Sequence, residues 1–98
     1  MPNAYWIAAY HDVRNEERLG AYAKLAGPAI AAGGGRFLAR GTAAKAYEAG
    51  IAQRTVIIEF PSVEAAVACH DSDAYQQALD ALGDDAVTRD MRVVEGVE

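Results

Sequence analysis

Four segments of the chain have the residue pattern of β-strands, in which apolar and polar positions alternate or apolar residues follow one another. Residues 5–10, YWIAAY, form a continuous apolar run that ends at the polar pair His11 and Asp12. Residues 55–60, TVIIEF, are rich in β-branched side chains and end at Pro61, which is typical of a strand inside a sheet. The predicted strands are residues 5–10, 36–40, 55–60 and 89–97, with the last one as an edge strand.

A longer period, close to that of an α-helix, follows the first strand. Asn15 is placed to cap the helix and Gly33 to end it. Because proline lacks a backbone donor, we expect a kink or a restart near Gly27, with Pro28 opening a short last turn. The apolar positions that recur at helical spacing are Leu19, Tyr22, Ala23, Ala26 and Ile30.

Two further helical segments are predicted after the third strand. Ser62 is placed to cap the first, which continues to His70, and Ser72 caps the second, which stops at Gly83. Between the second and third strands, residues 41–53 have weak helical character, and we expect a long hairpin loop there. The apolar stripe of the last helical segment comprises Tyr75, Ala78, Leu79 and Leu82.

The order of the predicted elements is β-α-β-β-α-β, in one domain over residues 1–98. Two right-handed split β-α-β crossovers in this order give an α+β fold of the ferredoxin-like kind. It has a four-stranded antiparallel sheet with the helical segments on one face. The chain then supplies nothing to cover the other face, which we call the open face of the sheet.

The open face is predicted to carry both apolar and charged side chains. The purely apolar sets Val56, Ile58, Phe60 and Phe37, Ala39 belong against the helices. For the first strand, Tyr5-Ile7-Ala9 and Trp6-Ala8-Tyr10 are both acceptable on the open face. A mixed face of this kind is suited to pack on a twofold copy of itself and to close a barrel. The second and third strands place Arg36, Leu38, Arg40, Thr55, Ile57 and Glu59 on the open face.

The charges of the open face can be paired across the predicted hairpin. If Leu38 lies opposite Ile57, period-two geometry sets Arg36 opposite Glu59. A carboxylate that becomes enclosed needs such a partner. The predicted cross-strand pairs are Arg36 with Glu59, Leu38 with Ile57, and Arg40 with Thr55.

Composition and charge exclude several classes of partner. The 98 residues carry a formal net charge of -5, with a pI of about 4.9, so no nucleic acid and no anionic membrane is expected as partner. Cys69 is the only cysteine, which favours a reducing compartment. No apolar stretch approaches the roughly 20 residues of a membrane span, and the first residues lack the pattern of a secretory signal. We therefore expect a cytoplasmic protein.

Six segments together resemble a known bacterial family. They are YWIAAY, YAKLAGPAI, GGRFLARG, VIIEFPS, SDAYQQAL and VVEGV, and their joint order is similar to that of domain of unknown function 1330. The resemblance implies a dimeric α/β barrel in which two sheets close around an internal cavity. Its wider structural relatives include cofactor-free monooxygenases, muconolactone isomerase-like enzymes and haem-acting proteins. The family has no assigned reaction, and the alanine-rich residues 42–53 depart from its usual pattern.

The leading hypothesis is a homodimer that binds a small molecule without a cofactor. Two alternatives stay open: a cofactor-independent enzyme on a small carbonyl or aromatic substrate, and a purely structural interaction module. In the enzyme, Glu59 would be the base and Arg36 would stabilise an oxyanion, whereas in the module the two would form a structural ion pair. The predicted ligand-binding residues are Arg36, Leu38, Arg40, Ile57 and Glu59.

The remaining reactive side chains are given structural roles. His70 ends a helix, where its charge complements the helix dipole, and His11 follows a strand at a possible barrel mouth. Cys69 and His70 are adjacent in a helix and point about 100° apart, so they are not expected to form a base–nucleophile pair. The histidines lack the spacing of a metal site, and no metal is predicted.

Overall fold

The structure, a computed structural model, describes residues 2–97 of the chain. One antiparallel sheet forms the first layer and three helices form the second, so the predicted ferredoxin-like α+β fold is confirmed. The second α position of the predicted order is filled by two short helices in succession. The elements are β1 (Ala4–Val13), α1 (Glu16–Ala32), β2 (Arg36–Thr42), β3 (Arg54–Phe60), α2 (Val63–His70), α3 (Asp73–Leu82) and β4 (Val87–Glu95).

The strand order across the sheet is β2-β3-β1-β4, and every neighbouring pair is antiparallel. The last strand is an edge strand, as predicted, although it begins and ends two residues earlier than expected. Residues 43–53 contain no helix or strand, and the Ala43 N–H donates to the Gln53 carbonyl (2.9 Å) where this loop closes. The prediction of a long hairpin loop is confirmed.

Side-chain caps begin all three helices, as the sequence predicts. Asn15 Oδ1 accepts from the Arg18 N–H at 3.0 Å, and Ser62 Oγ accepts from the Ala65 N–H at 3.0 Å. Ser72 Oγ accepts from the Tyr75 N–H at 3.3 Å. Each cap satisfies a backbone donor that the helix itself leaves without a partner.

The predicted restart of α1 at Pro28 is wrong, since the helix runs without interruption from Glu16 to Ala32. Pro28 is exposed, and its missing donor leaves only the carbonyl four residues earlier, that of the exposed Lys24, without its helical partner. Water can reach a carbonyl at such a position, so a proline there is tolerated inside a helix.

The core lies between the helices and one face of the sheet. Its largest fully buried side chains are Trp6, Phe60 and Tyr75, with the Trp6 ring stacked on Phe60 at 5.8 Å and edge-on to Tyr75 at 5.0 Å. Full burial of side chains of this size contributes about 1.5–3 kcal/mol each. The burial of Trp6 therefore sets the orientation of β1. Because side chains alternate along a strand, Tyr5 and Ile7 lie on the open face.

The close packing of this core reaches the turn after α1. A Cβ at Gly35 would lie 2.5 Å from Ile30 Cγ2 and 2.8 Å from Phe60 Cζ. At Gly33, a Cβ would lie 2.6 Å from the sulfur of the buried Cys69. The glycines predicted as a helix stop therefore also let β2 pass close to the core.

The folded chain is thin in one direction, with extents of 38 × 34 × 17 Å. The short dimension has room for one sheet and one helix layer, because packed layers are spaced by about 10 Å. Among the described residues, no sheet or helix covers the open face, and only residues 49–51 of the loop lie beside one end of it. Within that part of the chain, no helix is long and apolar enough to cross a membrane.

Candidate functional site

A cluster of three side chains occupies one end of the open face. Arg36 lies opposite Glu59, as predicted, and Arg36 Nη2 is 2.9 Å from Glu59 Oε1. The Tyr5 hydroxyl donates to Glu59 Oε2 at 3.4 Å. Only 20% of the Glu59 side chain is exposed, against 72% for Arg36. Both carboxylate oxygens thus face a donor, and Tyr5 is a member that the sequence did not reveal because the orientation of β1 was open.

A β-bulge at Leu38 changes the register of β2 beyond this cluster. Phe37 pairs with Ile58, whereas Ala39 pairs with Ile57, so Leu38 is an extra residue with no partner in β3. The predicted pair of Leu38 with Ile57 is therefore wrong, and 47% of the Leu38 side chain is exposed. Ala39, expected against the helices, lies on the open face.

The same bulge moves Arg40 to the other side of the sheet. Arg40 pairs with Val56, whose side chain is buried against the helices, and not with Thr55 as predicted. One inserted residue reverses which face every later side chain occupies, since strand side chains alternate. The guanidinium of Arg40 lies 4.6 Å from the centre of the Phe37 ring. Arg40 is thus separated from the other predicted ligand-binding residues.

On the helix side, Arg40 borders a cavity of about 30 Å³ between α1 and the sheet. We call this space the arginine cavity, because its lining also includes Arg54 and Arg89. Arg89 Nη1 donates to the hydroxyl of Tyr10 at 2.7 Å. Arg54 and Arg89 were not predicted as site residues, because they lie near the beginnings of separate strands and their meeting depends on the register of the sheet.

The other end of the open face carries a second charged cluster. His11 Nε2 lies 2.8 Å from Asp90 Oδ2, and Arg92 Nε lies 3.4 Å from Asp90 Oδ1. The hydrogen bond from His11 and the charge of Arg92 lower the pKa of Asp90. These side chains border a cleft of about 430 Å³ that is also lined by Ile7 and by residues 49–51 of the loop.

This second cluster joins residues 79 positions apart in the chain. Asp90 and Arg92 alternate with Met91 along β4, which is the sequence signal that they share a face. What the sequence did not supply is their partner, because His11 is the extra residue of another irregularity in register, between Tyr10 and Asp12.

Comparison with known proteins identifies the family. A family model described as domain of unknown function (DUF1330) matches residues 3–97. The chain belongs to this family. The predicted resemblance to domain of unknown function 1330 is thus confirmed, and no protein with a curated description matches the chain.

Solved structures similar to this member of the DUF1330 family share its fold. A protein of unknown function from Rhodopseudomonas palustris matches with a TM-score of 0.75 and 17% identity, over 99% of this chain and 84% of that one. A putative antibiotic biosynthesis monooxygenase from Caulobacter crescentus matches with a TM-score of 0.63 and 16% identity, over 99% and 92% of the two chains. A conserved protein of unknown function from Bacteroides thetaiotaomicron, described as a possible oxidoreductase, matches with a TM-score of 0.57 and 11% identity, over 96% of this chain and 95% of that one.

The other reactive side chains of this DUF1330 protein are engaged locally. His70 ends α2, its Nδ1 lies 3.0 Å from Asp71 Oδ1, and its ring packs 5.6 Å from that of Trp6. The Cys69 thiol is directed at the Ala29 carbonyl oxygen (3.7 Å), and burial raises its pKa, which disfavours the reactive thiolate. Among residues 2–97, the His, Cys, Asp and Glu side chains form no group of three or more that could hold a metal ion.

Proposed function

We propose that this protein is a homodimer that binds a small molecule between the open sheet faces of its two subunits. The observation that carries the proposal is the composition of the open face. An antiparallel sheet face that stays in water normally alternates toward polar residues. Here Ile7 and Ile57 pair across β1 and β3 at its centre, with one charged cluster toward each end.

The ligand is expected to contact both the apolar centre and the Arg36–Glu59 cluster. Ile57 supplies an apolar wall, and Arg36 supplies donors for a carbonyl or a comparable acceptor. Arg36 Nη2 is directed at Glu59, but the side chain is 72% exposed in a single subunit, so its remaining donors can reach a ligand. The half-exposed Leu38 is the other predicted apolar residue of this lining, whereas Arg40 lies on the opposite face of the sheet. A cytoplasmic location stays a prediction.

The dimer is tested by sedimentation velocity at micromolar concentrations. Wild-type protein is expected to sediment as a dimer, and Ile57→Lys as a folded monomer, because a charge at the centre of the interface would be buried. Leu25→Lys is the matched control: Leu25 is a 45% exposed apolar residue on α1, in the other layer, and its replacement leaves the dimer intact. A wild-type monomer contradicts the proposal.

Ligand binding is tested with acetophenone, which carries an aromatic ring and a carbonyl oxygen but no charge. Ligand-observed NMR is expected to detect saturable binding to the wild-type dimer, weakened in Arg36→Ala and in Ile57→Lys. A dimer with no detectable binding would favour the structural interaction module instead.

The His11–Asp90 pair favours a second candidate, a cofactor-independent enzyme. An imidazole held by a carboxylate beside an open cleft is an arrangement suited to proton transfer. Breaking a C–H bond next to a carbonyl moves its electron pair to the carbonyl oxygen, where a guanidinium stabilises the charge, and the proton goes to the base. The fold is shared with a putative monooxygenase.

Deuterium exchange distinguishes the two candidate bases of such an enzyme. The methyl proton signal of acetophenone in deuterium oxide would decay faster with wild-type protein than with buffer. Loss of this effect in His11→Gln, but not in Glu59→Gln, would assign the base to His11. The reverse would assign it to Glu59, as the sequence predicts. No acceleration by the wild type would exclude this proton abstraction.

A further inference from the structure

We propose that the arginine cavity is a binding site for a small carboxylate, separate from the open face. The cavity lies on the helix side of the sheet, so this proposal does not depend on the proposed dimer or its ligand. It brings together three arginines from three strands: Arg40 of β2, Arg54 of β3 and Arg89 of β4.

The positive charges of the arginine cavity are not balanced by the protein around them. No aspartate or glutamate lines the cavity, although the chain has 14 acidic residues and a net charge of -5. Within residues 2–97, every ion pair joins other side chains, and none includes Arg40, Arg54 or Arg89. Like charges that converge without a counter-charge mark a position where an anion would bind favourably.

Arg54 also has a donor that the protein leaves unused. Its Nε is buried and has no hydrogen-bond partner among the described residues. Buried donors in folded proteins almost always have an acceptor, and charged donors need one most. Leaving this donor unpaired costs stability, so the fold keeps a guanidinium beside the cavity at the expense of stability.

Aromatic rings hold the guanidiniums in place. The Cζ of Arg54 lies 5.8 Å from the centre of the Tyr10 ring, and that of Arg89 lies 5.3 Å from the same ring and 4.8 Å from the Tyr22 ring. Cation–π contacts of this kind orient an arginine without neutralising it. The donors are therefore positioned before any ligand arrives, which lowers the entropy cost of binding.

Size and shape favour a carboxylate over larger anions. A cavity of about 30 Å³ holds roughly two or three water-sized groups, which suits the three heavy atoms of a carboxylate. Guanidinium groups bind planar carboxylates through paired hydrogen bonds. Arg40 is exposed and stacks on Phe37 at the mouth of the cavity, beside the small residues Ala23 and Gly27 of α1. A short apolar or aromatic tail would lie there.

The test uses acetate and benzoate as probes, with acetamide and benzamide as uncharged counterparts. Nitrogen-15 spectra of the arginine Nε–H groups of the wild-type protein, at constant ionic strength, follow each titration. The Arg54 and Arg89 signals are expected to shift and saturate with the two carboxylates and not with the amides. The signal of Arg18, an exposed arginine on α1, serves as the internal reference and is expected to stay in place.

Two variants assign the binding to the cavity. Arg54→Gln is expected to weaken benzoate binding about tenfold or more, the effect of losing a charged hydrogen bond. Arg18→Gln removes the same charge from the surface and is expected to bind as the wild type does.

The proposal is overturned if the carboxylates do not saturate the wild-type signals, if the amides bind equally well, or if both variants bind alike. Tighter binding of phosphate than of benzoate would overturn the assignment to carboxylates. The wild-type spectra decide the matter even if a variant fails to fold.

Discussion

Replacing Arg54 by methionine should stabilise the protein while it weakens anion binding. Methionine keeps an unbranched apolar chain of similar length, so the packing of the Arg54 stem against the sheet is largely retained. What is lost is the guanidinium, with its buried and unsatisfied Nε. Functional sites often contain a polar residue that makes the protein less stable than an apolar residue at the same position would.

The expected change in the free energy of unfolding is the difference between two opposing contributions. A buried donor without an acceptor costs about 1–3 kcal/mol, and this cost disappears in Arg54→Met. The contact between the guanidinium and the Tyr10 ring at 5.8 Å is also lost, at roughly 0.5–1 kcal/mol. We expect a net stabilisation of about 0–2.5 kcal/mol. For a domain of this size, each kcal/mol raises Tm by about 4–8 °C.

The assay is urea unfolding with and without benzoate at constant ionic strength. In the absence of benzoate, Arg54→Met is expected to have the higher midpoint at an unchanged m-value. With benzoate at a hundredfold excess over the wild-type Kd, the wild type gains about 2.7 kcal/mol by mass action, whereas the variant, with binding weakened tenfold or more, gains about 1.4 kcal/mol or less. The stability advantage of the variant therefore shrinks by at least about 1.3 kcal/mol.

Arg18→Met is the control. Because Arg18 is exposed, its free energy of unfolding is expected to stay within about 0.5 kcal/mol of that of the wild type, both with and without benzoate. If Arg54→Met lowers the free energy of unfolding by more than about 1 kcal/mol without benzoate, the guanidinium stabilises the folded chain. In that case the reasoning from its unsatisfied donor fails.

Three further predictions concern the core and the open face. Gly35→Ala should destabilise the protein by about 1–3 kcal/mol in urea unfolding, because its Cβ would lie 2.5 Å from a core side chain. Gly41→Ala is the control and should not show this packing cost, since a Cβ there meets nothing within 4 Å. Tyr75→Phe should cost about 1–3 kcal/mol, because the buried hydroxyls of Tyr22 and Tyr75 lie 2.6 Å apart and the remaining one would lose its partner. The lowered pKa of Asp90 predicts stability that is present above the ordinary carboxyl pKa of about 3.9 and is lost as the pH falls through the folded-state value. This loss should be smaller in Asp90→Asn, and equal acid sensitivity in the two proteins would contradict it.

Local structure was accessible from the sequence because its causes are local. A capping side chain such as Asn15 bonds a backbone group three residues away, and the apolar period of a segment reports its own geometry. The pairing of Arg36 with Glu59 was also predicted, since alternation on two strands joined by one hairpin restricts the register. Pro28 is the local exception: its effect on α1 depends on exposure, which the sequence does not state.

The candidate site was only partly accessible, because its geometry depends on two irregularities of register. A strand pattern does not reveal where an extra residue enters, and the bulge at Leu38 sent Arg40 to the opposite face from the one predicted. The irregularity after Tyr10 likewise presents His11 to Asp90 across 79 positions of chain.

The elements, their order, the family and the Arg36–Glu59 pair could be predicted from the sequence, since each is encoded in neighbouring residues or in one hairpin. The buried face of β1, the position of Arg40, and the meeting of Arg54 and Arg89 around one cavity became known from the folded structure. Those outcomes follow from pairing between distant strands and from the packing of Trp6 under the helices. Such contacts are chosen by the fold as a whole, because each strand's register and orientation is set by its neighbours and by the core they share.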